Sequence, residues 1–570
     1  MLRDGPDQLI NQSIKHFIHY ATIEPLFVME KELKDNNVDS AHHIEGDIDV
    51  ASTGLQFNAK SITHGAEQSL AVEHNLTPLE AMKAYPMAIF WCLVISTCVI
   101  MEGYDQILVQ SFYAYPQFQI KYGEYVGVGT TGYQISAPWQ AGLSNASGVG
   151  AFFGTLLNGY LVTKFGHKRV LVASLFLLSA FVFITFFAPS LPVLCVGQLL
   201  AGLPWGVFAT TAPAYASECL PMVLRVYFTS FTNMCFIIGQ LIAAGVLRGL
   251  QSRQDEWAFR IPFALQWMWP IFLIPLVSMA PSSPWHEVRL GRLEQAEKSL
   301  RRLQRSSADI DPKKTLAMIV YTNNLEEELQ VGTSYWDCFK GFELRRTEIA
   351  CMCFMGQPLS GANFAYNSSY FFEQVGLNTE TTYSLNLGGT GLALAGTLIN
   401  WFVIMPRAGR RRTYLLGMTV TIMALMSIGI LNVWGSNSSI GYAQSALCLF
   451  WTFAFQLSVG QLGWALPAEV GSTRLRQKTI CLARNAYYLI NVVCSVLQSY
   501  FMNPTAWNLS GYTGFFWGGT SLVILIWAFF RLPETKDRSY EQLDVLFAKR
   551  VPARHFKKTD PDVFNYHETS

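Results

Sequence analysis

Charge is scarce in this sequence. Asp, Glu, Lys and Arg make up 14% of its 570 residues, where an ordinary soluble domain carries about a quarter. Its 41 basic residues nearly balance 40 acidic ones, so the basic surplus that a nucleic-acid partner requires is missing. Cysteine spacing suited to a zinc site or a secreted disulfide framework is missing too: the 11 cysteines are scattered, as at Cys92, Cys98, Cys195 and Cys448, in apolar runs. The nearest pair, Cys351 and Cys353, opens another apolar run and reads as two small buried hydrophobes. No phosphate-binding loop, metal-ligand cluster or nucleophile constellation stands out, so no metal, no cofactor and no enzyme activity are expected. Residues 1–80 hold no long apolar run, and 1–7 lack the apolar core of a cleavable signal peptide. This stretch is expected to be a disordered cytosolic N-terminal tail, with targeting left to the first apolar span.

Apolar sequence, by contrast, is abundant: 51% of residues are hydrophobic and 39 are Phe. Segments of about 20 residues, enough to cross a bilayer, recur at 86–112, 138–162, 170–188, 191–213, 226–247 and 262–281, then at 347–372, 383–404, 413–433, 440–465, 478–500 and 512–531. The reading is an all-α membrane protein of twelve transmembrane helices in two six-helix halves, 81–281 and 347–532. A cytosolic helical linker over 282–346 joins them, and a cytosolic C-terminal tail over 533–570 follows. Lys164, Lys168 and Arg169 follow the second span, and Arg407, Arg410, Arg411 and Arg412 follow the eighth. Basic residues in short loops mark the cytosolic side, so both loops and both termini are placed there. The recurrence of the cluster at one position of each half suggests parallel repeats about an axis along the membrane normal. In the linker, 291–300 has the charge and Leu spacing of an amphipathic helix. Asp311-Pro312 caps a second, whose Leu316, Met318, Ile319 and Tyr321 offer apolar residues for docking. On the opposite side, Asn437 and Asn508 begin acceptor triplets for glycosylation.

Two carboxylates interrupt the first span, Glu102 and Asp105. Three residues apart, they share one helix face, and charge inside a span usually faces a protein-lined, wet pathway. The plainer alternative ends the helix near Met101 and leaves both acids among the headgroups.

Four motifs in order carry a resemblance. Gly166-His167-Lys168-Arg169, Gly409-Arg410-Arg411-Arg412, Gln357-Pro358-Leu359-Ser360-Gly361-Ala362-Asn363 and Pro533-Glu534-Thr535-Lys536 resemble the sugar porter branch of the major facilitator superfamily, over residues 80–550. More narrowly, Met101-Glu102-Gly103-Tyr104-Asp105, Pro204-Trp205-Gly206, Tyr215-Ala216-Ser217-Glu218, Phe263-Ala264-Leu265-Gln266-Trp267, Ala483-Arg484 and Val551-Pro552-Ala553-Arg554 resemble the fungal maltose and other α-glucoside permeases. The resemblance implies a monomeric plasma-membrane importer of α-glucosides such as maltose, driven by proton symport. Its partners are then the sugar, protons and the lipid bilayer.

By the same resemblance, Glu102, Asp105 and Arg484 serve proton coupling; for Arg484 the alternative is a snorkelling cation that packs at span ends. Sugar hydroxyls need donors and acceptors at fixed positions, and aromatic faces for the ring. Gln357 and Asn363 carry the family motif, and Gln198, Gln266, Trp464 and Asn491 are further candidates. A lone amide in a membrane helix equally often glues helices together. Arg169, Arg225, Arg410 and Arg474, near Glu218, Glu469 and Glu534, form a candidate inner gate of ion pairs that break and remake as the halves rock, or serve topology alone. Several positions depart from the family pattern, among them His286-Glu287 where an apolar pair is usual. Ala151 and Ser282 stand where a glutamate is usual, and Pro358 stands where a second glutamine is usual. They keep open a carrier for another sugar or metabolite, uncoupled or exporting. A sugar-sensing receptor ranks last, since only about 40 residues follow the last span.

Overall fold

The computed structural model describes residues 76–559, apart from 128–130, 306–310, 329–333, 367, 375–376, 435–437, 472–474, 537 and 539. Among the described residues the chain is helical almost throughout, and its one sheet is a hairpin of Glu124–Tyr125 against Tyr133–Gln134. Ten helices are long and apolar enough to cross a membrane: Pro86–Phe112, His167–Phe186, Leu191–Cys219, Val223–Leu250, Trp257–Met279, Thr379–Arg407, Arg410–Trp434, Ser439–Val470, Lys478–Met502 and Ser510–Arg531. These are spans 1, 3 to 6 and 8 to 12. Span 2 is Ala137–Phe165, and span 7 starts as Glu343–Leu359, which completes two sets of six.

Span 2 is less apolar for a packing reason. Gly150 and Gly154 on it meet Gly202 and Gly206 on span 4 with backbone almost against backbone. A Cβ on Gly150 would lie 2.0 Å from the Leu199 carbonyl oxygen, and one on Gly206 would lie 2.2 Å from that of Ala151. Small residues four apart are what permit such an approach between membrane helices.

Two spans differ from the continuous helices expected over 347–372 and 440–465. Span 7 stops at Leu359 and resumes as Ala362–Tyr366 and Ser368–Gln374. Gly361 between them takes φ 91°, a conformation open to glycine and strained for other residues. Span 10 is broken at Ser458, whose φ −138° and ψ −86° separate Ser438–Leu457 from Val459–Val470. A break frees backbone carbonyls that lipid cannot satisfy; here the Asn400 side-chain amide donates to the Leu457 carbonyl at 2.6 Å.

The linker forms helices Pro284–Arg289, Leu293–Leu303 and Pro312–Glu328. Asp311 Oδ1 accepts from the Lys313 N–H at 2.9 Å. Val288, Ala296, Leu300, Leu316, Met318 and Ile319 close into a small core of their own. Of the stretch assigned to an N-terminal tail, 1–75 lie outside the described residues, and Pro78–Ala84 is a helix with a Thr77–Glu80 capping box. The segment after span 12 is docked too: Leu543, Leu546 and Phe547 of helix Tyr540–Ala548 are buried. Arg345 donates to the Val551 carbonyl at 2.7 Å, and the Arg346 guanidinium lies 4.6 Å from the Phe547 ring.

On the side away from the linker the halves are bolted together. Tyr383 donates to the Ser111 carbonyl at 2.7 Å, Asn503 to the Ile135 carbonyl at 3.0 Å, Tyr370 to Gln134 Oε1 at 3.2 Å and Gln119 to Glu373 Oε1 at 3.4 Å. All four bonds run between residues 111–135 and the second half, so the structure is closed on that side.

Candidate functional site

Span 1 bends at Thr97, whose hydroxyl donates back to the Val94 carbonyl at 2.6 Å, and then runs on as Cys98–Phe112. Glu102 and Asp105 therefore lie inside the span, 8% and 1% exposed. The headgroup alternative fails because the helix continues well past both.

The two acids share a face but not an environment. Arg484 on span 11 places Nη2 3.3 Å from Glu102 Oε1, and the Tyr488 hydroxyl lies 3.5 Å from the same oxygen. Four rings enclose the guanidinium, their centroids 4.6 Å away for Trp464 and Tyr487, 4.9 Å for Tyr488 and 5.7 Å for Phe354. A desolvated cation over ring faces gains about 2 kcal/mol, so the box holds Arg484 whatever the charge on Glu102. Ala151 packs into this box, a methyl group where the family pattern has a carboxylate. Among the described residues, Glu102 is the one carboxylate at ion-pair distance from Arg484.

Asp105 meets amides instead. Its Oδ1 accepts from Gln266 at 2.6 Å and from Gln198 at 3.3 Å. These two glutamines, expected among the sugar ligands, serve as a cradle for the acid. Glu102 Oε2 and Asp105 Oδ2 are buried without a hydrogen-bond partner. Each acid thus keeps one oxygen able to take a proton.

Of the other expected sugar contacts, Gln357 donates to the Gly460 carbonyl of span 10 at 3.1 Å. Asn363, 2% exposed, sits just past the break in span 7. Trp464 turns its face to Arg484. Asn491 is half-buried with Oδ1 unbonded, two turns beyond Arg484 on the same face of span 11.

Among the described residues, the expected inner gate resolves into two clusters, one in each half, and neither bridges the halves. In the first, Glu218 Oε2 accepts from His167 Nε2 at 3.1 Å and from the Ser283 hydroxyl, while Arg289 lies 3.7 Å from Oε1. Arg169 is exposed at the start of span 3 and points away, because the motif's histidine precedes it on the buried face. Arg225 donates to the Leu220 carbonyl at 2.8 Å and so caps the chain turn before span 5. In the second cluster, Glu469 Oε1 accepts from Nε and Nη2 of Arg410, each at 3.2 Å, and Oε2 accepts from the Thr535 hydroxyl. Glu534 Oε1 takes the Arg410 backbone N–H at 2.7 Å. Arg474 and Asn437 lie outside the described residues; Asn508 is exposed between spans 11 and 12. His167, Ser283 and Tyr488 are the additions. Of these only Tyr488 was signalled by spacing, four residues after Arg484 and so on its face.

Twelve spans in two halves, with a charge pair buried between them, define a membrane carrier of the major facilitator fold. A family model for sugar (and other) transporters matches residues 91–547, and the chain belongs to that family. It is 39% identical over 510 residues to a maltose permease of Saccharomyces cerevisiae, covering 88% of this chain and 82% of that one. A general alpha-glucoside permease of the same yeast is 37% identical over 519 residues, covering 90% and 84%. Among solved structures, the proton:xylose symporter XylE bound to 6-bromo-6-deoxy-D-glucose shares the fold with a TM-score of 0.68 and 19% identity, over 81% of this chain and 99% of that one. A partially occluded inward-open conformation of XylE from E. coli gives 0.64 and 17%, over 80% and 100%.

Proposed function

We propose that this transporter imports α-glucosides such as maltose across the plasma membrane by symport with protons, acting as a monomer with both termini in the cytosol. The observation that carries the reading is the Glu102–Arg484 pair, which joins the two halves in a dry, aromatic setting. Protonating Glu102 removes one charge from the pair while the rings retain the other, so the contact between the halves changes strength with each proton. Asp105, cradled by Gln198 and Gln266, is the second proton site, with one carboxylate oxygen left unbonded. Gln357, Asn363 and Asn491 supply donors and acceptors for sugar hydroxyls. Relatives named for maltose and alpha-glucosides, at 36–39% identity over 88–90% of the chain, support the substrate class.

The His167–Glu218 and Arg410–Glu469 clusters would brace the cytosolic ends of each half as they rock. A second reading, an uncoupled carrier, is favoured by Ala151, which leaves Arg484 a single carboxylate partner among the described residues. Uptake of labelled maltose by permease-deficient yeast expressing this chain, with external pH recorded, separates the two. The proposal expects maltose entry with alkalinisation of the medium. Entry without proton influx leaves the uncoupled carrier, and no entry at any pH sinks the substrate class. Changing Asp105 to Asn is expected to abolish accumulation against a gradient while leaving exchange intact, and wild-type accumulation removes Asp105 from the mechanism.

A further inference from the structure

Gln357 is seated in a notch on span 10. Its amide nitrogen donates to the Gly460 carbonyl at 3.1 Å. Its carboxamide lies against Gly463, nitrogen first: a Cβ added there would stand 2.1 Å from Nε2, 2.9 Å from Cδ and 3.2 Å from Cγ. Real Cβ atoms essentially never come closer than 3.0 Å to a neighbour. Any side chain at 463 and the present position of Gln357 therefore exclude each other.

The notch follows from the break in span 10. The helix restarts at Val459, so Gly460 and Gly463 fall in its first turns. The Ser458 hydroxyl donates to the Ala454 carbonyl at 2.7 Å, and its side chain fills the space over Gly417 of span 9, where a Cβ would lie 1.9 Å from Oγ. Gln456, just before the break, closes the other side of Gly460 and accepts from Asn233 of span 5 at 3.4 Å. The lip of the notch is thus held by spans 5 and 9, neither of which carries Gln357. On span 7 the glutamine sits in the last turn before the helix ends at Leu359, where helix packing alone would restrain it least.

We infer that Gly460 and Gly463 are positioning residues for substrate binding: span 10 fixes the carboxamide of Gln357 so that its oxygen is presented to a hydroxyl donor of the sugar. With one amide N–H committed to Gly460, Gln357 offers the ligand an acceptor oxygen and one remaining N–H. This selects the direction in which the bound hydroxyl must point. The inference rests on the reading of Gln357 as a sugar ligand, and the test separates the two.

Four proteins carry the test: wild type, Gly463→Ala, Gln357→Ala and the double variant. Each is assayed for maltose KM and kcat from initial uptake, normalised to the amount at the cell surface. Gly463→Ala is expected to raise KM about tenfold, the effect of one lost hydrogen bond, with kcat within about twofold. In the Gln357→Ala background, where no carboxamide occupies the notch, Gly463→Ala is expected to change nothing further. An unchanged KM for Gly463→Ala, or the same rise in both backgrounds, overturns the inference. If Gln357→Ala itself leaves KM unchanged while wild type transports maltose, the reading of Gln357 as a ligand falls instead. Should Gly463→Ala not reach the surface, Gln357→Asn serves, since its shorter side chain cannot span to the Gly460 carbonyl. It is expected to raise KM as much as Gln357→Ala does, and a wild-type KM for it overturns the inference.

Discussion

The two halves build the same clasp from different cations. In each, a glutamate near the end of the fourth helix of the set, Glu218 or Glu469, is met by the residue that opens the third helix and by a hydroxyl just past the sixth. In the second half the cation is Arg410, whose guanidinium reaches Glu469 through two nitrogens and whose backbone N–H is tied to Glu534. In the first half it is His167, one ring nitrogen that carries charge only when protonated, with Arg289 standing further off. Arginine and a conditional cation are not interchangeable. The repeat has kept the carboxylate and the hydroxyl and exchanged the side chain that meets them.

The largest effect is expected where the halves stop repeating each other and supply opposite members of one pair. Arg484→Leu strips Glu102 of its cation inside the membrane, a change that typically costs about 3–5 kcal/mol for a buried pair. Accumulation of labelled maltose per transporter at the cell surface should fall by roughly 100-fold, since the charge left unpaired in the membrane can no longer be coupled to the second half, and wild-type accumulation would remove the pair from the mechanism. Next comes the clasp of the second half: Arg410→Ala leaves Glu469, among the described residues, with the Thr535 hydroxyl. Uptake should drop about 10–100-fold, with little recovery in Arg410→Lys because a single ammonium cannot reproduce the fork. Near-full rescue by lysine would show that the fork is dispensable.

His167→Arg tests the comparison most directly, since it gives the first clasp the cation of the second. Exchange of maltose across vesicles should slow, by no more than about fivefold, because the longer guanidinium does not fit the imidazole's place; a wild-type rate would mean that the two clasps accept either side chain. His286 beside it provides a stability test. Burial, and next the neighbouring His167, hold its pKa below the ordinary 6.5. The unfolded chain then binds more protons than the folded one just below that value, so stability falls as pH drops through about 6.5. Melting temperatures of His286→Gln should fall less over that window than those of wild type. The smallest change is expected of Arg169→Ala, exposed and outside the clasp, with uptake within about twofold.

Hydropathy made most of the fold legible, because lipid demands long apolar helices and the chain repeats them. It did not register the breaks at Gly361 and Ser458, which keep the apolar character of their spans and declare themselves through a single φ or through a neighbour such as Asn400. The site was legible in part. Glu102 and Asp105 stood out as charges in an apolar run, and family motifs pointed to Arg484 and Gln357. That Arg484 meets Glu102 and not Asp105, or that Gln198 and Gln266 turn to Asp105, depends on the rotation of four helices about their axes. Sequence separation carries no record of that. The basic motif directed attention to Arg169 because it is always charged, whereas the buried position belongs to His167, two residues before it.

The interlocked glycines of spans 2 and 4 have a mechanical consequence. With backbone resting on backbone at the four glycines, and Asn158 of span 2 bonded to Thr210 and Thr211 of span 4 beyond them, the two helices are expected to move together as one lever. Its middle, at Ala151, presses on the aromatic box around Arg484, and one end of span 4 carries Glu218. The clasp lies about twenty ångströms further along the helix axis, as 1.5 Å of rise per residue requires, with Pro213 of span 4 as the one proline in between. The lever works only as long as four positions stay without a side chain.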